Sequence, residues 1–282
     1  NFVELGPGDG SLTKVIINTL KKFPECNKAI KIYLYEKSLF LKKLQKQNID
    51  NKRIKWIKNF NSIKKGPVIF FGNEFFDAIP IKQFSIINNE LFEKCYSVKD
   101  NIDIIEKFIR SNKKDFAQIM TFGTLKKLKF IEFPKKGLIE LNPIIKKINK
   151  LSGGILLIDY GYLNSNNSNT IQAVMGNKKI STEAMLKNLG KADITSLVNF
   201  NLLKEYFLKN NLKVKKVVTQ RFFLERMGII ERAHILEKKR TNEEQKYIKE
   251  TLSRLLEEKQ MGSLFKVIFG YKNKNNNFFG FE

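Results

Sequence analysis

Residues Glu4-Leu5-Gly6-Pro7-Gly8-Asp9-Gly10 join the β-forming pair Phe2-Val3 to an amphipathic stretch, Ser11 to Phe23, so a strand passes into a helix through a turn with three glycines. No other segment restricts the fold as strongly. A tight strand-to-helix turn uses backbone angles with φ > 0 and lets a ligand lie against bare main chain, and both requirements select glycine. Dinucleotide binders space their glycines G-x-G-x-x-G, the third packing helix on strand. Here the order is G-x-G-x-G, Ser11 stands at the last position of that pattern, and Asp9 would set a carboxylate beside a pyrophosphate. Charge repulsion argues against NAD or FAD. A loop opened by Glu4 and carrying Asp9 suits a nucleoside with a cationic centre and an ammonium group, which describes S-adenosylmethionine.

The E-x-G-x-G-x-G pattern resembles the first motif of Rossmann-like methyltransferases, although an ordinary glycine turn between two packed elements would read the same way. The next predicted strand, Ile30 to Tyr35, ends in Glu36. In a doubly wound sheet, an acid at the carboxyl end of the second strand accepts hydrogen bonds from both ribose hydroxyls. Glu36 fits that role, with a solvated strand-end glutamate as the alternative. Its distance from Gly6 exceeds the roughly 20 residues usual for this arrangement, so Lys21 to Lys28 are expected to lengthen the first crossover.

The chain has 282 residues, enough for one large or two small domains, and its 42% hydrophobic content supports a sizeable core. A net charge of +24 would ordinarily point to nucleic acid or an anionic membrane. Only seven of the 52 basic residues are arginine, which leaves 52 − 7 = 45 lysines, scattered over every segment with no arginine–aromatic platform. A solvated basic surface is the favoured reading and nucleic-acid binding the minor one. Cys26 and Cys95 form no C-x-x-C pair and suggest a reducing compartment. His234 is the single histidine, expected to be packed or at the surface, so no metal site is indicated. No apolar run approaches the roughly 20 residues of a membrane helix. The chain opens on Asn1 and enters a strand at once, so the expectation is an N-terminally truncated domain.

Short β-rich runs alternate with helical patterns, the signature of βαβ units and a parallel sheet. Predicted strands are Phe2–Leu5, Lys31–Tyr35, Ile54–Ile57, Pro67–Phe71, Gly154–Ile158, Val214–Thr219 and Leu264–Tyr271. Leu12, Val15, Ile16 and Leu20 are the predicted inward stripe of the first helix, and Ser38 to Gln47 the second helix. Gln83 to Val98 read as a hairpin about Asn88-Asn89. Residues 83–150 are expected to form an inserted hairpin and helical cap, with 1–82 and 151–282 as the core. Thr241 and Glu244 have capping-box spacing and open a helix that Gly262 is expected to close. Asn164 to Asn169 and Asn273 to Asn277 read as polar loops.

The second informative run is Phe70-Phe71-Gly72-Asn73-Glu74-Phe75-Phe76-Asp77-Ala78-Ile79-Pro80, where a buried strand ends in a polar and aromatic loop. Ligands in open α/β sheets bind beyond the carboxyl ends of the strands. If Glu74 and Asp77 share a helical turn, their spacing puts both carboxylates on one side. Methyl transfer needs a nucleophile with a free lone pair at near-attack distance, and a guanidinium, with a pKa above about 12, keeps its proton. Two carboxylates could clamp it bidentately and draw positive charge toward the nitrogens they hold, leaving the remaining nitrogen more nucleophilic. The alternative is that both acids cap a helix after the strand. Asp159 and Tyr160 are weaker candidates, and Asn59 and Phe60 could flank an adenine, with packing an equal explanation for Phe60.

Glu4 to Leu12, Asn73 to Pro80, Gly154 to Gly161, Thr170 to Val174, Ala192 to Thr195, Thr219-Gln220 with Phe223-Leu224, and Met261-Gly262 with Leu264 to Lys266 occur in the same order in the MidA family, which this chain resembles throughout its length. The resemblance implies an α/β, Rossmann-like class I methyltransferase with a seven-stranded, mostly parallel sheet and an inserted subdomain. It implies a protein-arginine N-methyltransferase that uses S-adenosylmethionine and, like the family's mitochondrial member, symmetrically dimethylates a respiratory complex I subunit. The compartment implied is bacterial cytoplasm, or the mitochondrial matrix in a eukaryote. Glu4, Gly6, Gly8, Gly10, Glu36 and Asn73 match as cofactor-binding positions, and Glu74 and Asp77 as catalytic ones. Asn177, Leu197 and Asn199 depart from the family pattern. A non-catalytic assembly factor on the same fold and an RNA methyltransferase are the alternatives.

Overall fold

The computed structural model describes residues 1–51, 53–99, 103–164, 166–176, 178–238, 240–274 and 276–282, so Asn177 lies outside the described residues. The chain opens with β1 (Phe2–Leu5), α1 (Ser11–Leu20), α2 (Pro24–Ala29), β2 (Ile32–Tyr35), α3 (Leu39–Asn48), β3 (Lys55–Ile57) and β4 (Val68–Asn73). β5 (Lys82–Ile87), β6 (Glu90–Lys99), β7 (Asp103–Arg110), α4 (Lys113–Ile119) and β8 (Phe130–Phe133) follow, then α5 (Lys135–Leu151) and β9 (Gly153–Tyr162). Next come β10 (Gln172–Met175), β11 (Lys178–Ile180), α6 (Thr182–Lys187), β12 (Asp193–Thr195), β13 (Val198–Asn199) and α7 (Phe200–Lys209). The chain closes with β14 (Lys213–Val214), β15 (Val218–Thr219), α8 (Gln220–Arg226), α9 (Ile229–Glu237), α10 (Asn242–Leu256), α11 (Met261–Leu264) and β16 (Phe265–Lys272). Two compact units result: Asn1–Phe75 with Asn142–Asp159 and Asn210–Glu282, and Phe76–Leu141 with Tyr160–Lys209. The second unit therefore starts ahead of the hairpin expected to open the insertion, and takes in 160–209 as well.

In the first unit seven strands follow one path, β14-β16-β9-β4-β1-β2-β3, with β15 also pairing β16. β1 pairs in parallel with both β2 and β4, and β4 with β9. The chain thus runs outward from β1 through β2 to β3 and returns to the other side of β1 as β4, so the strand order reverses between β1 and β4. That reversal is where open α/β sheets form their ligand crevice. Val3, Leu5, Leu34, Val68 and Phe70 have no exposed surface, whereas β4 alternates, with Ile69 of its other face exposed. Each of the buried side chains contributes about 1.5–3 kcal/mol by burial.

Several local expectations change. Helix α1 stops at Leu20 because Pro24 lacks an N–H and keeps Phe23 out of helical geometry, and the crossover is lengthened by a second helix that begins at that proline. Its buried positions are Thr13 and Ile17, whereas Leu12 and Val15 are exposed. The Thr13 hydroxyl donates to the buried Glu4 carboxylate, and Ile17 on the same face packs with Ile32, Leu34, Ile49 and Ile54. The strand expected over Val214–Thr219 is broken. Val214 pairs with Gly270 but Val218 pairs with Val267, four residues facing three, so one residue bulges out. Helix α10 has the full Thr241–Glu244 capping box but ends at Leu256. Gly262 sits in α11, where a Cβ would lie 2.1 Å from the Leu256 carbonyl oxygen, so its glycine serves close backbone approach, not helix termination.

The second unit holds an antiparallel sheet, β7-β6-β5-β8, and a small one, β11-β10-β12. The β5–β6 hairpin turns on Asn88 and Asn89 with φ of 49° and 61°, the left-handed pair that asparagine tolerates in a type I′ turn. Asp115, with a fully buried carboxylate, accepts from Lys82 at 3.1 Å and also from Lys135, tying α4 to β5 and to the start of α5.

Candidate active site

The register of β1 against β2 sets Leu5 opposite Tyr35, and the Gly6 N–H extends the ladder to the Tyr35 carbonyl at 3.0 Å. Gly6 and Glu36 therefore leave the sheet side by side. Gly6, Gly8 and Gly10 have φ of 62°, 55° and 86°, the left-handed region that costs other residues about 1–2 kcal/mol. A Cβ on Gly6 would come 3.3 Å from the Phe75 ring and one on Gly10 2.6 Å from Ile49 Cδ1, whereas one on Gly8 meets nothing within 4 Å. Gly10 is held by packing. Gly8 has a bare face open to a ligand.

Glu4 is 3% exposed, and burial raises its carboxyl above the usual range, with the Thr13 hydroxyl offsetting part of that rise. Thr13 was missed in the sequence. No signal in the sequence set it apart from the other polar residues of the helix. Glu36 is 9% exposed and not a solvated strand end. One oxygen accepts from the Ser38 N–H at 2.8 Å and the other from Gln45 at 3.2 Å, which leaves each oxygen a lone pair for a ribose hydroxyl. Phe60 is buried between the Tyr35 and Phe70 rings, at centroid distances of 5.0 and 5.1 Å. Packing accounts for it. Exposed Asn59 uses its side chain to accept from the Asn61 N–H.

At the crevice side of β4, Asn73 is the last strand residue, opposite Ile158 of β9. The Glu74 N–H donates to the Ile158 carbonyl at 3.0 Å, its φ is 50°, and its side chain is exposed. No helix follows: residues 74 and 76–79 form bends and turns. The expectation that a shared helical turn aligns Glu74 with Asp77 is therefore not met: Glu74 leaves β4 in the left-handed region and no helix forms before Pro80. Strained conformations of this kind cost about 1–3 kcal/mol and collect at functional sites. Phe75 lies against Gly6 and Gly72 and walls the ends of β1 and β4. Asp159 is 1% exposed in β9.

In the second unit, Asp77 is 5% exposed and its carbonyl accepts from the Ser196 N–H. Phe76 fills core space against Gly137, and Tyr160 is half-buried. The two described positions that depart from the family pattern have structural tasks: the Leu197 N–H donates to the Thr170 hydroxyl, and Asn199 accepts from the Leu202 N–H at the start of α7. Beside Asn199, burial and the Glu132 charge push the Tyr162 phenol up to about 12. Both cysteines are free, His234 is exposed, and no group of three metal-ligating side chains occurs among the described residues. No described helix is long and apolar enough to cross a membrane.

A parallel sheet whose order reverses beside a left-handed glycine turn, with a buried acid closing the next strand, defines the class I methyltransferase fold. The family described as "Putative S-adenosyl-L-methionine-dependent methyltransferase" matches residues 1–218, and the chain belongs to that family. Two solved structures from Burkholderia thailandensis superpose with TM-scores of 0.84 and 0.81 at 17% identity, covering 99% of this chain and 76% and 73% of theirs. The second of them is bound to S-adenosyl-homocysteine. Among curated proteins, the chain is 29% identical to the mitochondrial protein arginine methyltransferase NDUFAF7 homolog of Caenorhabditis elegans, over 94% of the chain and 66% of that protein. It is 26% identical to the Danio rerio NDUFAF7 over 83% of the chain and 60% of that protein. The chain thus spans somewhat less than two thirds of these relatives.

Proposed function

We propose that the protein is an S-adenosylmethionine-dependent N-methyltransferase acting on arginine in a protein substrate, with symmetric dimethylation of a respiratory complex I subunit as the specific reading. The arginine assignment is supported by the names of the curated relatives. The observation that carries it is Glu74: an exposed carboxylate one residue beyond a central strand, with its backbone in the left-handed region. The names of the curated relatives support a mitochondrial compartment; the matrix, or the cytoplasm in a bacterium, rests on the family resemblance.

When bound, the cofactor supplies a methyl group activated on a sulfonium. The glycine turn fits it, since Gly8 presents a face on which a Cβ meets no protein atom. Gly6, Gly8 and Gly10 offer the main chain, Glu36 accepts the ribose hydroxyls, and Glu4 and Asn73 flank the turn and the end of β4. Glu74 would engage the acceptor guanidinium and draw positive charge toward the nitrogens it holds, leaving the remaining nitrogen the nucleophile for the methyl group, with the proton it gives up passing to solvent. The family resemblance of the run Asn73 to Pro80 supports the same role for Asp77.

Incubation with cofactor labelled in its methyl group and a cognate lysate, followed by mass spectrometry, tests the proposal. Label on arginine side chains of a protein is expected. Label in RNA, or no transfer despite cofactor binding, would sink it.

A further inference from the structure

Gln45 of α3 has no exposed surface although it lies on the helix that follows the ribose-binding strand. A buried carboxamide is costly unless its donors and acceptor are satisfied, by roughly 1–3 kcal/mol in proteins. Each end is satisfied here. Its Nε2 donates to the Gly8 carbonyl at 2.7 Å and to the Glu36 carboxylate at 3.2 Å, and its Oε1 accepts from the Trp56 indole N–H at 3.0 Å. The indole can only donate, and the carbonyl and carboxylate can only accept, so the amide has one possible orientation. One turn along the same helix, Asn48 donates to the Asp9 carbonyl at 3.0 Å, and Ile49 fills the space against Gly10.

From this we infer that Gln45 is a positioning residue for cofactor recognition: it locks the glycine turn to Glu36 and is itself locked by Trp56. It is too enclosed to touch the ligand and acts through both groups that do. Without it, one oxygen of Glu36 loses its donor and the Gly8–Asp9 peptide loses its anchor, so the ribose acceptor and the main-chain cradle shift independently. This inference rests on the cofactor reading above.

Calorimetric titration with S-adenosylhomocysteine and with its 2′-deoxyribose counterpart tests it. The unaltered protein should prefer the ribose form about tenfold. Gln45→Met, close in shape but without the polar groups, should bind S-adenosylhomocysteine at least tenfold more weakly, and its preference for ribose should shrink to about twofold. In a Glu36→Gln background, Gln45→Met should add little further loss of that preference. Trp56→Phe is the milder variant should Gln45→Met fold poorly, with a loss of two- to fivefold in the same direction. Trp56 is the only tryptophan, so its fluorescence should change saturably on binding. Equal weakening toward both ligands, or unchanged affinity, would overturn the inference while leaving the cofactor reading intact. Failure of the unaltered protein to bind either ligand would overturn both.

Discussion

Gly8→Ala, set beside Gly10→Ala, tests the proposal that Gly8 contacts the cofactor while Gly10 is held by packing. At Gly8 the backbone φ is 55°, and an added Cβ meets no protein atom within 4 Å. The substitution therefore costs the left-handed penalty of about 1–2 kcal/mol, offset by about 0.4–1 kcal/mol because alanine has fewer unfolded conformations to lose. A net loss near 1 kcal/mol, on the order of a few degrees in Tm, should leave the protein folded. A ligand lying against this face has no such latitude, since the methyl occupies the space where it sits. Affinity for S-adenosylhomocysteine should fall at least 100-fold, or about 2.8 kcal/mol at 1.4 kcal/mol per factor of ten. Gly10→Ala should show the opposite balance. There the Cβ would lie 2.6 Å from Ile49 Cδ1, and overpacking of about 1–3 kcal/mol adds to the backbone penalty. Urea denaturation and calorimetry on both variants check this, and near-normal affinity in a folded Gly8→Ala protein would show that the ligand does not lie on the turn.

Glu74→Gln and Asp77→Asn, measured separately, should each abolish methyl transfer while cofactor affinity stays within a few-fold; wild-type turnover in either would remove that residue from the chemistry. Asp115→Asn should destabilise the protein at pH 7 by about 1–3 kcal/mol. Burial alone would raise the Asp115 carboxyl, but hydrogen bonds from Lys135, Lys82 and Asn112 outweigh it and hold it below the usual value. Its contribution is present above the unfolded pKa of about 3.9 and is lost as pH falls through the lower folded value. The variant should therefore lose less stability than the parent on acidification, as urea midpoints at pH 7 and pH 3 would show. Glu4 has the opposite sign. Its raised carboxyl favours the folded state most at low pH and less as pH rises through its folded value, so Glu4→Gln should be more stable than the parent at pH 7, with the difference shrinking near pH 4, and should bind cofactor more weakly.

What was legible in the sequence had a local cause. Three closely spaced glycines can be read because few other residues accept their angles, and the same holds for Asn88-Asn89 and the Thr241–Glu244 cap. The rotation of α1 had no such cause: aliphatic spacing favoured Leu12 and Val15, whereas Thr13 meets Glu4 of β1 and Ile17 packs with Ile32 and Leu34 of β2, partners distant in sequence. The bulge between Val214 and Val218 depends on register against β16, which no segment carries by itself. For the candidate site, the place of Glu36 beside the glycine turn followed from strand order, but the left-handed Glu74 did not, since its N–H bonds to Ile158 on a strand distant in sequence.

A crystal structure of the protein with S-adenosylhomocysteine is the most direct measurement. The ribose hydroxyls should meet the two oxygens of Glu36, and the amino-acid end should run along the main chain of Gly6 to Gly10 with the nucleoside over Gly8. A ligand bound elsewhere, or the turn occupied by a pyrophosphate while the nucleoside is excluded, would contradict the account.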